Sequence, residues 1–335
     1  MNDVRPAATA HPREVLFEEG QAARVLPVVD HYCGVEARMR KSLQLQADRG
    51  PVFDITLDNE DGAPVGGEVE HAELIADLLD SPLNRWGRVG VRLLDVDHPA
   101  FEAVAATVLR ARRRPAYLMI PKPRSAADVE RAAVCIDALG GRDVPLHALV
   151  ETHGALSQVQ ALAAHPRIES LSFGLMDFVS AHRGAVPAWA MSAAGQFRHP
   201  LVLRAKLEIA AACHAHGKTP SHSVVTEFKD RQALGDAVRR ASGELGYTRM
   251  WSIHPDQIET IVQAFTPADE EIEESADILL NAQAANWAPI RHRDILHDRA
   301  SYRYHWYRLQ RAHATGSSGL QASDPKVRAW LMEGV

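Results

Sequence analysis

The feature that most constrains the fold is a repeated alternation of short apolar runs with longer amphipathic segments. From about residue 22 to residue 267 the pair occurs eight times, with Gly, Pro or Asp closing each pair. Several runs, such as "AYLMI" and "LHALV", are too continuously apolar for strands with one face in water. The pattern therefore predicts a parallel sheet that is covered on both faces.

A closed (β/α)8 TIM barrel is the simplest arrangement of eight such units. The alternative is an open doubly wound sheet, which typically carries a glycine-rich phosphate-binding turn after its first strand. The sequence contains neither G-x-G-x-x-G nor G-x-x-x-x-G-K, which favours the barrel. We predict a barrel over residues 1–267, with a lead-in over 1–21, and a C-terminal helical extension and tail over 268–335. In that extension, "ATGSSGLQASDP" indicates a flexible connector.

The composition excludes several classes of protein. With 335 residues, 46% hydrophobic and 24% charged, the chain is typical of a globular protein. A formal net charge of -6 gives no general attraction to nucleic acid or to an anionic membrane. No run has the length of a signal-peptide core or a membrane span, and three widely spaced cysteines fit a reducing compartment. We therefore expect a cytoplasmic protein.

Charged side chains follow six of the eight predicted strands. They are Asp58, Glu60, Asp61, Arg92, Lys122, Glu151, Asp177 and His254. In a TIM barrel the C-terminal strand ends meet at one mouth, where active sites lie. Glu151 and Asp177 follow adjacent strands, and carboxylate oxygens suit Mg²⁺, whereas zinc prefers His and Cys. We predict that these two residues bind Mg²⁺; the alternative is that each acid caps the helix that follows it.

These residues lie in six motifs that resemble the HpcH/HpaI aldolase and citrate lyase β-subunit family, in particular its stand-alone members related to malyl-CoA and citramalyl-CoA lyases. The motifs occur in order between about residues 50 and 267: "LDNEDGA", "VRLL", "IPKPRSAADV", "VETHGAL", "FGLMDF" and "WSIHPDQI". Each motif alone is weak, but six in order are specific. The resemblance implies a TIM barrel with Mg²⁺ ligands at Glu151 and Asp177, in agreement with the strand ends.

The resemblance also implies an aldol-type carbon-carbon lyase. Such an enzyme cleaves or forms a β-hydroxyacyl-CoA such as malyl-, citramalyl- or citryl-CoA, giving an acyl-CoA enolate and a short 2-oxo acid. By the same resemblance, Glu60 and Asp61 hold metal-bound waters, and Lys122 helps to bind the substrate. Arg92 matches the arginine that contacts the thioester or its enolate oxygen, where a fixed guanidinium stabilises developing charge.

A general acid/base must also move a proton at the acyl carbon. In relatives an aspartate from a neighbouring subunit supplies it, and Asp298 in "ILHDRASY" is the candidate here. The alternative for Asp298 is an ion pair with Arg299 or Arg303. The resemblance implies a homo-oligomer, a trimer or hexamer, whose partners are small molecules.

One departure from the family pattern concerns the opening strand. The family's opening strand helps to receive the CoA phosphates, but here it is "ARVLPVVDHYCG", with Asp30 and His31 where a small, neutral loop is expected. Two other hypotheses therefore stay open: a class II pyruvate-type aldolase on free 2-oxo acids, and a non-catalytic, metal-binding accessory subunit.

Overall fold

The centre of the molecule is a closed barrel of eight parallel strands. The computed structural model describes residues 10–18, 25–63 and 65–332. Each strand pairs with the next along the chain, and the last pairs with the first, so the TIM-barrel prediction is confirmed and the open sheet is excluded. The strands are β1 Val29–Cys33, β2 Asp54–Asp58, β3 Val89–Arg92, β4 Leu118–Ile120, β5 Leu146–Val150, β6 Ile168–Phe173, β7 Thr219–His222 and β8 Arg249–Ser252.

Helices surround the barrel and cover its strands. After a short first helix, α1 Pro12–Leu16, they are α2 Glu36–Arg49, α3 Glu68–Leu79, α4 Phe101–Leu109, α5 Ala126–Ala138, α6 His153–Ser157, α7 Val159–Ala164, α8 Leu175–Ser180, α9 Pro200–Ala215, α10 Arg231–Gly243 and α11 Pro255–Phe265. Apolar residues at helical spacing form the buried faces; in α3, for example, Ala72, Ile75 and Leu79 are buried. Among the described helices, none combines the length and the apolar character needed to cross a membrane.

The first strand begins later than the sequence predicts. The prediction uses "ARVLPVV" as the strand and leaves Asp30 and His31 for the following loop, but both residues lie inside β1 and are buried. This prediction is wrong because it treats a polar pair as unfit for a barrel strand. Asp30 forms an ion pair with Arg249, 3.3 Å away, so its charge is compensated within the barrel.

The His31 side chain has its own buried partners. Its Nδ1 atom lies 3.0 Å from the Ser252 hydroxyl and its Nε2 atom 3.0 Å from the Ser42 hydroxyl. Burial lowers the pKa of His31 to about 4, so the ring is neutral near pH 7. Neither Asp30 nor His31 therefore places a charge in the loop after β1.

The chain divides into two compact units. Residues Pro27–Val262 form one, and the described residues before 27 form the other together with Gln263 and those after it. This second unit contains α1, α12 Asp269–Ala284, β9 Ile290–His292, β10 Ile295–His297, α13 Arg299–Ala314, α14 Ser318–Ala322 and α15 Pro325–Met332. Tyr302, Trp306 and Leu309 are part of its separate hydrophobic core.

Two features of the second unit differ from the sequence-based description. The lead-in helix α1 packs in this unit, where Leu16 joins the core and His11 Nε2 lies 2.8 Å from the Trp330 carbonyl oxygen. The prediction of a flexible connector at "ATGSSGLQASDP" is wrong, because α14 lies within it. Leu320 in that helix is buried in the core of the unit, which fixes a segment whose composition indicates a loop.

Candidate active site at the barrel mouth

The C-terminal ends of β2 to β6 and the loops after them bring charged side chains together. We call this group the mouth cluster: Asp58, Glu60, Asp61, Arg92, Lys122, Glu151 and Asp177. Of the predicted strand-end residues, only His254 lies outside it. The His254 ring stacks on Phe228 with 4.8 Å between centroids, and its Nδ1 atom lies 3.6 Å from Asp256 Oδ2.

Arg92 is held in a fixed position at the end of β3. It lies beside Asp58 of β2 in the strand register, and its Nε and Nη2 atoms donate to the two Asp58 oxygens at 2.6 and 2.9 Å. Its Nη1 atom lies 3.1 Å from Glu60 Oε2. Burial lowers the pKa of Arg92, but the contacts with Asp58 raise it more, so the side chain stays charged. Asp58 therefore positions the guanidinium and is itself buried.

Tyr32 of β1 is a member of this site that the sequence does not reveal. Its hydroxyl group donates to Asp58 and accepts from Arg92 Nη2 at 2.8 Å. Its ring stacks on Trp251 of β8, with 5.7 Å between centroids and 14° between planes. A Cβ atom at Gly62 would lie 2.1 Å from the Tyr32 hydroxyl oxygen, which explains the glycine in "EDGA". An aromatic residue within a strand is typical of a hydrophobic core, so the sequence does not indicate that Tyr32 belongs to the site.

Lys122 connects two parts of the cluster. Its backbone amide donates to Glu151 Oε1 at 2.7 Å, while its Nζ atom contacts Glu60 and donates to Asp61 Oδ2 at 2.8 Å. Burial lowers the pKa of Lys122, and its bonds to Asp61 and Glu60 raise it more. The residue has a φ of 49°, in the left-handed region that disfavours side chains with a Cβ atom. Strain of this kind is concentrated at functional sites.

The paired acids Glu60 and Asp61 respond differently to their surroundings. Burial raises the pKa of Glu60, and the opposing effects of Arg92 and Lys122 do not cancel this rise. Burial also raises the pKa of Asp61, but the Lys122 bonds outweigh it and the net pKa is lowered. Both acids contact Lys122 in this structure. Roles for them in holding metal-bound waters stay a prediction.

Glu151 is not a helix cap. Thr152 is the N-cap residue of α6, and its side chain accepts a hydrogen bond from the Ala155 amide. Asp177 lies in the first turn of α8, where Gly174 is the N-cap residue and provides no capping side chain. The capping alternative is thus wrong for Glu151. For Asp177, the helix position is favourable for an acid, but no donor among the described residues bonds its carboxylate.

The Glu151 carboxylate is buried with few donors. It is 3% exposed, and within the described ranges its one hydrogen-bond donor is the Lys122 amide, on Oε1. Burial, followed by the charge of Asp177, raises the pKa of Glu151 to about 8. A Cβ atom at Gly174 would lie 2.4 Å from Glu151 Oε2, so this glycine leaves space for the carboxylate. The negative charge of Asp177 thus acts on Glu151, and few donors offset the burial of the Glu151 carboxyl group.

The mouth cluster fits a hard divalent cation. Two positive side chains, Arg92 and Lys122, face five acids, and the raised pKa of Glu151 indicates that a full set of five negative charges is not compensated without a cation. Residues 10–18, 25–63 and 65–332 contain no group of three or more His, Cys, Asp or Glu side chains placed to hold a metal. Two carboxylates with open positions for water and substrate match the preference of Mg²⁺, which seldom has an all-protein cage.

Asp298 belongs to the second unit and caps a helix there. Its carboxylate accepts from the Ala300 amide at 2.9 Å and the Ser301 amide at 3.3 Å, at the start of α13. The side chain is exposed. The alternative of an ion pair with Arg299 or Arg303 is not found in the part of the chain that the structure describes.

Comparisons with known proteins identify the family of the chain. The model of the HpcH/HpaI aldolase/citrate lyase family matches residues 53–255. An L-malyl-CoA/beta-methylmalyl-CoA lyase of Cereibacter sphaeroides is 30% identical over 218 residues, which cover 60% of this chain and 68% of the relative. A (3S)-malyl-CoA thioesterase of the same species is 28% identical over 274 residues, which cover 80% and 82%.

Solved structures show the same architecture. A citrate lyase from Burkholderia xenovorans LB400 is 55% identical, with a TM-score of 0.81 over 96% of this chain and 99% of that one. The protein CitE from Mycobacterium tuberculosis, solved with magnesium, acetoacetate and coenzyme A, is 21% identical and has a TM-score of 0.64 over 88% and 99%. This more distant likeness concerns the fold alone. From the family match and the barrel, the chain belongs to the HpcH/HpaI aldolase/citrate lyase family of carbon-carbon lyases.

Proposed function

We propose that this enzyme is a Mg²⁺-dependent lyase that cleaves or forms a β-hydroxyacyl-CoA of the malyl-CoA type. The products of cleavage are an acyl-CoA, released through its enolate, and a short 2-oxo acid. The observation that carries the proposal is the pairing of Glu151 with Asp177, whose carboxyl groups have few hydrogen-bond donors. Beside them lies Arg92, which Asp58 holds in place. Relatives named malyl-CoA lyases support the substrate class.

Glu151 and Asp177 would hold the metal. A bound Mg²⁺ supplies Lewis acidity to the hydroxyl and keto oxygens of the substrate. Lys122 keeps Glu151 in place through its backbone amide. Its Nζ atom, which contacts Glu60 and Asp61, is a positive group near the mouth that contributes to substrate binding. The same contacts hold these two acids in place, where they would bind waters of the metal ion.

Arg92 acts at the other fragment. As the carbon-carbon bond breaks, negative charge develops on the thioester oxygen, and a guanidinium that is already fixed stabilises that charge without reorganising. Asp58 supplies the fixed geometry through two hydrogen bonds. Because Arg92 is nearly buried, water screens its charge little.

Asp298 is our candidate for the general acid/base that moves the proton at the acyl carbon. It acts, in this proposal, in the mouth of a neighbouring subunit of a homo-oligomer, a trimer or hexamer. The N-cap position supports this role, because the backbone amides orient the carboxylate while its surface stays exposed.

A CoA thioester is favoured over a free 2-oxo acid. Asp30 and His31 would disfavour the CoA phosphates if they lay in the loop after β1, but both residues lie inside the strand. The second candidate function is hydrolysis of the same thioester, supported by the match to a (3S)-malyl-CoA thioesterase over 80% of this chain.

Incubation with malyl-CoA, with and without Mg²⁺, tests the proposal. We expect acetyl-CoA and glyoxylate in the presence of Mg²⁺, and a loss of roughly a thousandfold or more in Glu151→Gln, as for removal of a metal-dependent step worth several kcal/mol. The control is Glu36→Gln, because Glu36 is exposed and pairs with Arg40 on the same helix.

Other products would redirect the proposal. Malate and free CoA would identify the thioesterase. Pyruvate aldol exchange without turnover of any thioester would identify an aldolase for free 2-oxo acids. The absence of all three activities, with Mg²⁺ bound, would favour an accessory subunit.

A further inference from the structure

The hydrogen bonds of Arg92 determine what it can offer to a ligand. A guanidinium has two edges that can bind a carboxylate through two parallel N–H bonds, the Nε/Nη2 edge and the Nη1/Nη2 edge. Asp58 occupies the first edge through both of its oxygens. The second hydrogen of Nη2 points to the Tyr32 hydroxyl oxygen at 2.8 Å. Nη1 forms an ion pair with Glu60 Oε2 at 3.1 Å, but it carries two hydrogens, so among the described contacts it is the one nitrogen that keeps a hydrogen for a ligand.

Tyr32 cannot easily give way to a ligand. Its hydroxyl group is oriented because it donates its proton to Asp58, which leaves its lone pairs for Arg92. Its ring is stacked on Trp251, whose Nε1 atom donates to the Ser172 hydroxyl at 3.1 Å. The three aromatic and polar groups thus form a chain from β1 through β8 to β6 that fixes the hydroxyl beside Arg92.

We propose that Tyr32 is a positioning residue that sets the specificity of Arg92, by limiting it to a single donor nitrogen. A single donor suits one oxygen atom, as in a thioester carbonyl or its enolate. It does not suit a carboxylate, which binds best to a complete fork. Arg92 in this enzyme therefore discriminates against the carboxylate end of a substrate, which is left for the metal side of the mouth. The inference rests on the proposed function of Arg92.

The barrel contains a matched control. Tyr117 also donates its hydroxyl proton to an aspartate, Asp30, and also lies beside a buried arginine, with 3.5 Å between its oxygen and Arg249 Nη2. It belongs to the opposite end of the barrel, in the residue before β4. Tyr117→Phe thus removes the same group from a similar environment that takes no part in the proposed site.

Tyr32→Phe is expected to fold, because the ring stack is kept and Asp58 still accepts from Arg92 and from the Gly62 amide at 2.6 Å. The first readout is the binding of ¹³C-labelled acetate to the metal-free protein, followed by NMR. We expect Tyr32→Phe to bind acetate at least about tenfold more tightly than wild type, since a second N–H is freed for a fork. Tyr117→Phe should bind it as wild type does.

The second readout is the cleavage of malyl-CoA with Mg²⁺. We expect Tyr32→Phe to lower kcat about tenfold and to change KM by less than about threefold, since the loss concerns charge that develops in the transition state. Adding Arg92→Lys to Tyr32→Phe should abolish the gain in acetate binding, which locates the gain at Arg92.

Equal acetate affinity in folded wild type and Tyr32→Phe would overturn the inference. So would a gain that persists in the double variant, because the acetate would then bind elsewhere. If wild type does not cleave malyl-CoA, the proposed function fails, and the acetate measurement still decides the role of Tyr32.

Discussion

An arginine, an aspartate and a tyrosine meet at each end of the barrel. At the mouth they are Arg92, Asp58 and Tyr32. At the other end they belong to a group that we call the base cluster, made of Arg249, Asp30, Asp54, Arg88 and Tyr117. The residue types are the same, but their surroundings differ in charge and in exposure.

The base cluster has as many positive as negative side chains, and most of it is buried. Arg249 lies 2.6 Å from Asp54 and 3.3 Å from Asp30, and Arg88 lies 2.7 Å from Asp54, so two arginines face two aspartates. Arg249, Asp54 and Asp30 are at most 1% exposed. The mouth cluster instead has two positive groups for five carboxylates. The base cluster therefore stabilises the fold, while the mouth cluster has the capacity to bind a cation.

Removal of Arg249 should have the largest effect on stability. Arg249→Met leaves Asp30 and Asp54 buried with insufficient positive charge, and we expect the free energy of unfolding to fall by about 3–5 kcal/mol. Urea unfolding measures this. Arg142→Met is the control, because its side chain is 85% exposed and its ion pair contributes at most about 1 kcal/mol. A loss below about 1 kcal/mol for Arg249→Met would show that the base cluster is not needed for stability.

The neighbour of the base cluster on β1 should make stability depend on pH. Burial lowers the pKa of His31 from 6.5 to about 4, with Asp30 opposing the shift and His254 adding to it. The unfolded chain takes up a proton near pH 6.5, but the folded chain does so only near pH 4. The contribution of His31 is therefore complete above pH 6.5 and falls by roughly 3 kcal/mol as the pH decreases to about 4.

The His31→Gln variant isolates this effect from other titrating groups. The difference in unfolding free energy between wild type and the variant should shrink across this pH window, as followed by urea unfolding at several pH values. A difference that is constant from pH 7 to pH 4 would contradict the burial of a neutral ring.

Mg²⁺ should bind at the mouth cluster and increase the free energy of unfolding, whereas the base cluster should not bind it. At a hundredfold excess over the dissociation constant, binding to the native state alone adds about 2.7 kcal/mol, which raises Tm. Thermal unfolding with and without Mg²⁺ measures the gain. We expect Asp177→Asn to lose most of it, and Asp236→Asn, an exposed acid on α10, to retain it. Equal gains in the two variants would place the ion elsewhere.

The smallest effect should come from the backbone of Lys122. Lys122→Gly and Lys122→Ala both remove the contacts with Glu60 and Asp61, but only glycine adopts a φ of 49° without strain. We expect the glycine variant to be about 1 kcal/mol more stable than the alanine variant in urea unfolding. If alanine were as stable as glycine, the left-handed conformation would not be a source of strain.

The sequence predicts the barrel well because strand and helix periodicities depend on local patterns. It predicts the positions of Glu151 and Asp177 because strand ends in a barrel share one edge. It fails at Asp30 and His31, whose burial depends on Arg249, Ser42 and Ser252, more distant in the chain. A local pattern cannot indicate such partners.

Two site features need the three-dimensional structure for the same reason. Tyr32 meets Arg92 across 60 positions of the chain, and Asp58 differs from the other acids in accepting two hydrogen bonds from the guanidinium. The sequence also groups all strand-end charges together, although His254 packs on Phe228 outside the cluster.

The central claim is that the Glu151 and Asp177 carboxylates bind one divalent cation. Crystals grown with Mn²⁺ in place of Mg²⁺, and an anomalous difference map, test it directly. We predict a single strong peak at the mouth within about 2.2 Å of an oxygen of each residue, with waters or substrate in the other positions. A peak bonded to neither carboxylate, or no peak at the mouth at saturating Mn²⁺, would contradict the account.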